Sequence, residues 1–173
     1  MLSSSLVNRP VLSLQAGSVI ATAQEPIINP ANLKIIGWRC KSGNRKLILL
    51  AQELRDISEQ GLIVNDLSAL SSPEELVRHH EIINLNFQLT SKPVKSGRGR
   101  LGKVSDYSYN EGLFVQKLYV DQPLVKVLSG TGTLIIDRTQ IQEITDSYIL
   151  VNDTDVKASS EEMATAAAII PST

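Results

Sequence analysis

The spacing of apolar and polar residues favours strands over helices. Residues 33–40, Leu33-Lys34-Ile35-Ile36-Gly37-Trp38-Arg39-Cys40, make a strand-length run rich in β-branched and aromatic side chains. Residues 113–120 make a second such run. Turn formers stand ahead of both, Asn29-Pro30 before the first and Asn110-Glu111-Gly112 before the second. Residues 142–151 read as strand, turn, strand. The expectation is a meander of short strands with tight turns. Helix signals gather at the middle of the chain. Ser72-Pro73-Glu74-Glu75 offers a capping serine, a proline at the first helical position and a glutamate three after the cap. This predicts a helix over 73–81 running into a strand over 82–89. A second helical turn is expected at 123–128. After Asp155 the rhythm fades into small, polar and alanine-rich residues, and 156–173 reads as a flexible tail.

The pattern occurs twice. Residues 48–66, ILLAQELRDISEQGLIVND, align with 134–153, LIIDRTQIQEITDSYILVND. Leu54 falls on Ile141, Ile57 on Ile144, and Val64-Asn65 on Val151-Asn152. Upstream, Pro10-Val11 lies over Pro93-Val94, Val19-Ile20-Ala21 over Arg100-Leu101-Gly102, and 33–40 over 113–120. The order of matches is the same in both copies. A duplication of about 80 residues follows, with copies at roughly 6–67 and 89–153. Two copies are too few for a solenoid, so each is expected to be a small domain. The domains expected are 1–70 and 89–155, with 71–88 as the connector.

Composition narrows the choices only a little. The 173 residues are 42% apolar and 20% charged, which suits a buried core. A formal net charge of −1 gives the whole molecule no electrostatic pull towards nucleic acid or anionic lipid, although a local basic patch could supply one. The longest apolar runs are too short to cross a bilayer. The first residues, MLSSSLVNRP, lack the basic start and apolar stretch of a secretory signal. The single cysteine, Cys40, has no partner for a disulfide or a zinc site and lies in an apolar run, where a buried packing thiol is expected. A cytoplasmic location is the expectation.

Gly97, Gly99 and Gly102 spell G-x-G-x-x-G. A dinucleotide loop needs a buried strand before that string and a helix after it. Here LTSKPVKS precedes and KVSDYSYNEG follows, which is poor helix and good hairpin. Asp121, 19 residues past Gly102, stands where a ribose-binding acid would. The first copy keeps only one glycine at this place, in Ala16-Gly17-Ser18-Val19-Ile20-Ala21. The triplet therefore reads as a chain turn, with no cofactor.

The stretch GRLGKVSDYSYNEGLFVQKLYVD, followed by LIIDRTQIQEITDSYILVND, resembles the PRC-barrel family. Gly99, Leu101, Gly102, Val104 and Asp106 match its glycine hairpin, and Ile141 and Ile144 its distal segment. The first copy, from Pro10 to Asp66, matches more loosely, with Ala21 in place of the second glycine. The resemblance implies a mainly β fold of two tandem small PRC-type β-barrels, six strands each, joined by a short helix. It also implies kinship with the H subunit of photosynthetic reaction centres and the ribosome maturation factor RimM, which carry this domain.

Candidate chemistry is sparse. Lys92, Lys95, Arg98, Arg100 and Lys103 place five cations within twelve residues, with no acid among them. Such a run is ordinarily a solvated hairpin. As a site it would meet an acidic protein surface, RNA or anionic lipid. No aromatics interleave these cations, as a surface for stacking bases would want. Tyr107 and Tyr109, spaced by two, share a strand face and are expected to pack inward. His79-His80-Glu81 cannot chelate one metal, because adjacent helical residues point about 100° apart. Asp137-Arg138 and Asp106 are expected to form a pair closing the barrel. No catalytic triad, nucleophile elbow or metal spacing is present. The expectation is a non-enzymatic adaptor whose partner is a protein. The alternatives are an RNA-associated role in ribosome assembly, like that of RimM, and an enzyme with an unrecognised pocket. Peripheral membrane contact is also open, without a transmembrane segment.

Overall fold

The computed structural model describes residues 1–122 and 132–152. Two β-sheet domains joined by a short helix make up the architecture. The expected helical turn at 123–128 and the tail at 156–173 lie outside the described residues. The chain divides into a first unit, Ser4–Asn29 with Lys34–Phe87, and a second unit, which takes Met1–Ser3, Pro30–Leu33 and the chain from Gln88.

In the first unit the strands are β1 (Arg9–Ser13), β2 (Ser18–Asn29), β3 (Lys34–Ser42), β4 (Arg45–Leu50), β5 (Leu54–Ser58), β6 (Gly61–Val64) and β7 (Leu70–Ser71). They form one sheet in the order β5-β6-β1-β2-β3-β4-β7. The second unit holds β8 (Pro93–Ser96), β9 (Gly99–Tyr109), β10 (Val115–Asp121), β11 (Thr133–Asp137), β12 (Ile141–Ile144) and β13 (Ile149–Val151). Their order is β12-β13-β8-β9-β10-β11. Strand for strand this repeats the first six of the other sheet. In each, one parallel pairing, β1 with β6 and β8 with β13, joins ladders that are otherwise antiparallel. The duplication read from the sequence is thus a duplication of topology.

Small details recur too. A bulge sets Val11 opposite Ala21 but Leu12 opposite Val19, and another sets Val94 opposite Gly102 but Lys95 opposite Arg100. Arg9 donates to the carbonyls of Ser58, at 2.6 Å, and Glu59. Lys92 donates to those of Thr145, at 3.4 Å, and Asp146, at 2.8 Å. Each cation precedes a proline at the start of its unit's first strand and ties the turn of the terminal hairpin to that strand. Leu33 and Leu113, equivalent residues ahead of β3 and β10, both adopt left-handed backbone, with φ of 55° and 62°.

Alternation fills the cores. Val11, Ala21, Ala23, Ile35, Trp38, Leu49, Leu62 and Val64 are buried in the first unit. Val94, Val104, Tyr107, Leu118, Val120, Ile136, Ile149 and Val151 are buried in the second. Their outward neighbours along each strand are mainly polar, as expected of a sheet with one solvated face.

Neither sheet closes, which corrects the expectation of two β-barrels. Closure of the first would need β5 to pair with β4, but the free side of β4 is taken by β7, through Ile48 opposite Ser71 and Leu49 opposite Leu70. In the second unit no ladder joins β11 to β12 among the described residues, and β12 pairs only with β13. Three-residue 3-10 turns, Ala51–Glu53 and Arg138–Gln140, carry the chain from β4 to β5 and from β11 to β12, five strand positions away in each sheet. Such a link reaches about 14 Å, whereas five strand spacings of a flat sheet need about 24 Å. Both sheets therefore curl, the second into a half-barrel, and both stop short of a cylinder.

The connector differs from expectation as well. Glu75 does reach back to the Ser72 N–H, at 2.8 Å, but the capped segment is two 3-10 turns, Pro73–Glu75 and Val77–His79. The α-helix α1 spans only His80–Asn84. No strand forms over 82–89. Ile83 is drawn instead into an apolar cluster with Ile27, Ile48 and Leu50, and Arg39 donates to the Ile83 carbonyl at 2.5 Å and to Asn86 Oδ1 at 2.8 Å.

Gly102 is the glycine of the triplet that packing requires. A Cβ there would meet the Asp121 carbonyl oxygen at 2.0 Å. Gly102→Ala is expected to destabilise the protein by about 2 kcal/mol through this overpacking, whereas Gly43→Ala, whose Cβ would meet nothing within 4 Å, is expected to show only the roughly 1 kcal/mol penalty of its positive φ. Chemical denaturation of both variants checks the difference, and equal losses would refute the close-approach account.

Candidate functional site

The hairpin of β8 and β9 carries the cationic residues. Its loop is short, with Ser96 paired to Gly99, and the buried Ser96 hydroxyl accepts the Arg98 N–H at 3.2 Å. Gly99 sits at φ 121°, a conformation open to glycine but not to most residues. No helix follows the triplet: β9 runs from Gly99 to Tyr109. The glycine string turns a chain, as its flanks predict.

Lys95, Arg98, Arg100 and Lys103 are all exposed. The bulge after Val94 brings Arg100 directly opposite Lys95 on the outer face. Lys103 lies opposite Pro93 on one side and Asp121 on the other. The Asp121 carboxylate also accepts the Thr133 hydroxyl at 3.2 Å. Lys92 is set apart from the other four. It is half-buried, its ammonium is spent on the turn carbonyls of Thr145 and Asp146, and desolvation lowers its pKa, with Asp146 opposing the shift. The outer face thus gathers four of the five cations, and the fifth anchors the sheet.

One contributor gave no signal in the linear pattern. The Lys95 ammonium lies over the Tyr148 ring, 4.2 Å from its centroid. Tyr148 is 53 positions away, immediately before β13, and the parallel β8–β13 pairing brings the two together.

The other expected groupings are dispersed. Asp137 and Arg138 do not pair with Asp106. Asp137 caps its own 3-10 turn, accepting the Thr139 N–H at 2.9 Å and hydroxyl at 2.7 Å. Arg138 donates to the Asn32 carbonyl at 2.8 Å and lies over the Phe114 ring. Asp106 accepts the Ser3 hydroxyl and the Tyr107 N–H. Asp137 is held by the donors of its own turn, and Asp106 by the Tyr107 N–H and the remote Ser3 hydroxyl, so neither carboxylate is left for the expected pair. Tyr107 and Tyr109 are buried as expected, and burial pushes the Tyr107 phenol well up. Cys40 is buried, its thiol pushed up to about 12 by desolvation, so it is held as an inert thiol. His80 shares contacts with the Asn84 amide on α1. Among the described residues no group of three or more His, Cys, Asp or Glu is placed to hold a metal ion. No helix among them is long and apolar enough to cross a membrane.

Compared with known proteins, the chain matches no family model and no curated protein. What stands is the architecture itself, a tandem pair of open β-sheet domains with a short helix between them.

Donation from Thr139 holds the Asp137 carboxyl below its ordinary value of 3.8, with Lys117 adding a smaller pull in the same direction. The folded pKa is the lower one, so the cap stabilises fully above 3.8 and is lost as pH falls through the folded value. Thermal melts taken between about pH 5 and about pH 2.5 should fall more steeply for the native protein than for Asp137→Asn. Parallel curves would remove the cap from the account.

Proposed function

We propose that this chain is a non-enzymatic, cytoplasmic binding module, a distant relative of PRC domains, that receives an acidic segment of a partner protein on the outer face of the β8–β9 hairpin. The observation that carries this reading is the cross-strand pair of Lys95 and Arg100. Like charges directly opposite each other destabilise a ladder by a few tenths of a kcal/mol, up to about 1 kcal/mol. The fold itself does not ask for them: the equivalent pair in the first unit, under the same bulge, is Leu12 and Val19. Two cations kept side by side on an exposed face, where the sister unit has two apolar residues, suit an acidic surface that meets them. Arg98 at the turn and Lys103 further along β9 widen the field. The kinship with PRC domains rests on the glycine hairpin and the matching distal segment.

An acidic peptide is favoured over RNA for a physical reason. Single-stranded RNA is gripped by stacking as well as by charge. Tyr107 and Tyr109 are buried, and the face of Tyr148 is covered by Lys95. The cations therefore stand without an open aromatic platform. The non-enzymatic part is supported by where the polar side chains go: Asp137 caps a turn, Asp106 holds Ser3 and Tyr107, and Lys92 clamps carbonyls.

Fluorescence anisotropy with a labelled oligoglutamate peptide and a labelled oligouridine tests the reading. The peptide is expected to bind, and Arg98→Glu with Arg100→Glu to weaken it by tenfold or more, about 1.4 kcal/mol, without lowering the melting temperature, since a glutamate in place of Arg100 would face Lys95 as an opposite charge. Peptide binding that survives the double substitution overturns the proposal. Tighter binding of the RNA, falling steeply with salt, would replace it with the ribosome-assembly role.

A further inference from the structure

The first unit carries a surface of its own at the matching end of its sheet. Two hairpin tips stand side by side there. The β1–β2 tip presents Leu14, 62% exposed, and Val19, 56% exposed. The β3–β4 tip turns through Gly43, at φ 58°, and presents Arg45 and Lys46, with Lys41 opposite Lys46 in the ladder. All three cations are exposed. The tips are tied together: the Ser42 hydroxyl donates to the Ile20 carbonyl at 2.8 Å, next in the chain to Val19. A third apolar residue borders the first tip. Gln15 N–H donates to the Asn65 carbonyl at 2.9 Å, and Leu67, 58% exposed, follows two residues later. The nearby acid, Asp66, is turned onto the Ser68 N–H at 2.7 Å, capping its own turn.

Large apolar side chains on hairpin tips are held in water at a loss of stability, and three of them border one cluster of cations. That composition is specific. An acidic peptide would satisfy the cations and leave Leu14, Val19 and Leu67 wet. A purely apolar partner surface would bury those three side chains and strip water from three ammonium and guanidinium groups. A bilayer surface containing anionic lipid satisfies both, because apolar side chains enter the boundary between headgroups and acyl chains while Lys and Arg remain at headgroup level. We infer that the adjoining β1–β2 and β3–β4 hairpin tips form a peripheral contact for anionic lipid bilayers, with Leu14 and Val19 inserting and Lys41, Arg45 and Lys46 meeting the headgroups. This surface is separate in residues from the β8–β9 hairpin, and it stands whether or not that hairpin binds a partner.

Co-sedimentation of the full chain with large vesicles tests the inference. One set is phosphatidylcholine alone and the other adds phosphatidylglycerol, whose negative surface potential attracts basic side chains. Binding is expected only to the anionic set. Lys41→Glu, Arg45→Glu and Lys46→Glu together should weaken it by roughly a hundredfold, and Leu14→Ser with Val19→Ser by at least about tenfold. Arg98→Glu with Arg100→Glu should leave vesicle binding intact, which separates this result from the fate of the β8–β9 reading. The altered residues are all exposed, and unchanged melting curves confirm that the variants fold. Failure to bind anionic vesicles overturns the inference, as does binding that both sets of substitutions leave unchanged. So does sedimentation equilibrium showing a dimer that Leu14→Ser with Val19→Ser dissolves, for then a second copy covers the tips.

Discussion

The parallel pairing of the first strand of each unit with its last holds the architecture together. Every other ladder in the six-strand repeat joins neighbours in sequence or closes over a short turn. Val11 against Leu62, and Val94 against Ile149, bring together segments more than fifty residues apart. Without that contact each unit would be a flat meander with a dangling hairpin. With it, the terminal hairpin lies beside the first strand, and a three-residue turn must then span the five strand positions from β4 to β5, or from β11 to β12. Curvature follows from chain length alone. Arg9 and Lys92 reinforce the join by bonding across it to backbone carbonyls, a geometry that satisfies turn acceptors which would otherwise depend on solvent.

Much of this was legible in the sequence, and for identifiable reasons. The duplication showed because both copies keep apolar residues where the pleat faces inward, so Leu54 and Ile141 or Val64 and Val151 could be superposed without knowing the sheet. The glycine triplet could be read as a turn because its flanks are hostile to helix. Closure could not be read, because it depends on what lies beside β4, and a two-residue strand such as Leu70–Ser71 has no periodicity to detect. The strand expected over 82–89 failed through tertiary packing. Ile82 and Ile83 alternate poorly as strand but sit well against Ile27, Ile48 and Leu50 as a helix turn. The Asp137–Asp106 grouping failed because Asp137 is taken by its own turn and Asp106 by Tyr107 and the N-terminal Ser3, a partner that no local pattern announces. For the cationic face, the residues were visible but their partner was not: nothing in the linear pattern ties Lys95 to Tyr148 or sets it across from Arg100.

The two copies also show how a scaffold separates from its surface. The bulge in the first hairpin is kept in both units and delivers the same two positions to the outer face. Inward, substitutions stay apolar, as with Ala23 and Val104 or Trp38 and Leu118. Outward, Leu12 and Val19 stand in one copy where Lys95 and Arg100 stand in the other. The backbone geometry is common property, and the side chains on its solvated face have diverged to opposite chemistry.

Repeated topology also bears on how the polypeptide is made. A first strand that waits for a last strand leaves β1 with a bare edge until residues 61–64 have left the ribosome. The second copy contains a near-equivalent last strand, with Val151-Asn152 in place of Val64-Asn65. Mixed pairings between copies are therefore the natural misassembly of this chain. Vectorial synthesis works against them: β6 emerges roughly thirty residues before β8, so the first sheet can seal its own edge before its competitor exists. Refolding from denaturant removes that head start, and the two last strands then compete for each bare edge at the same time.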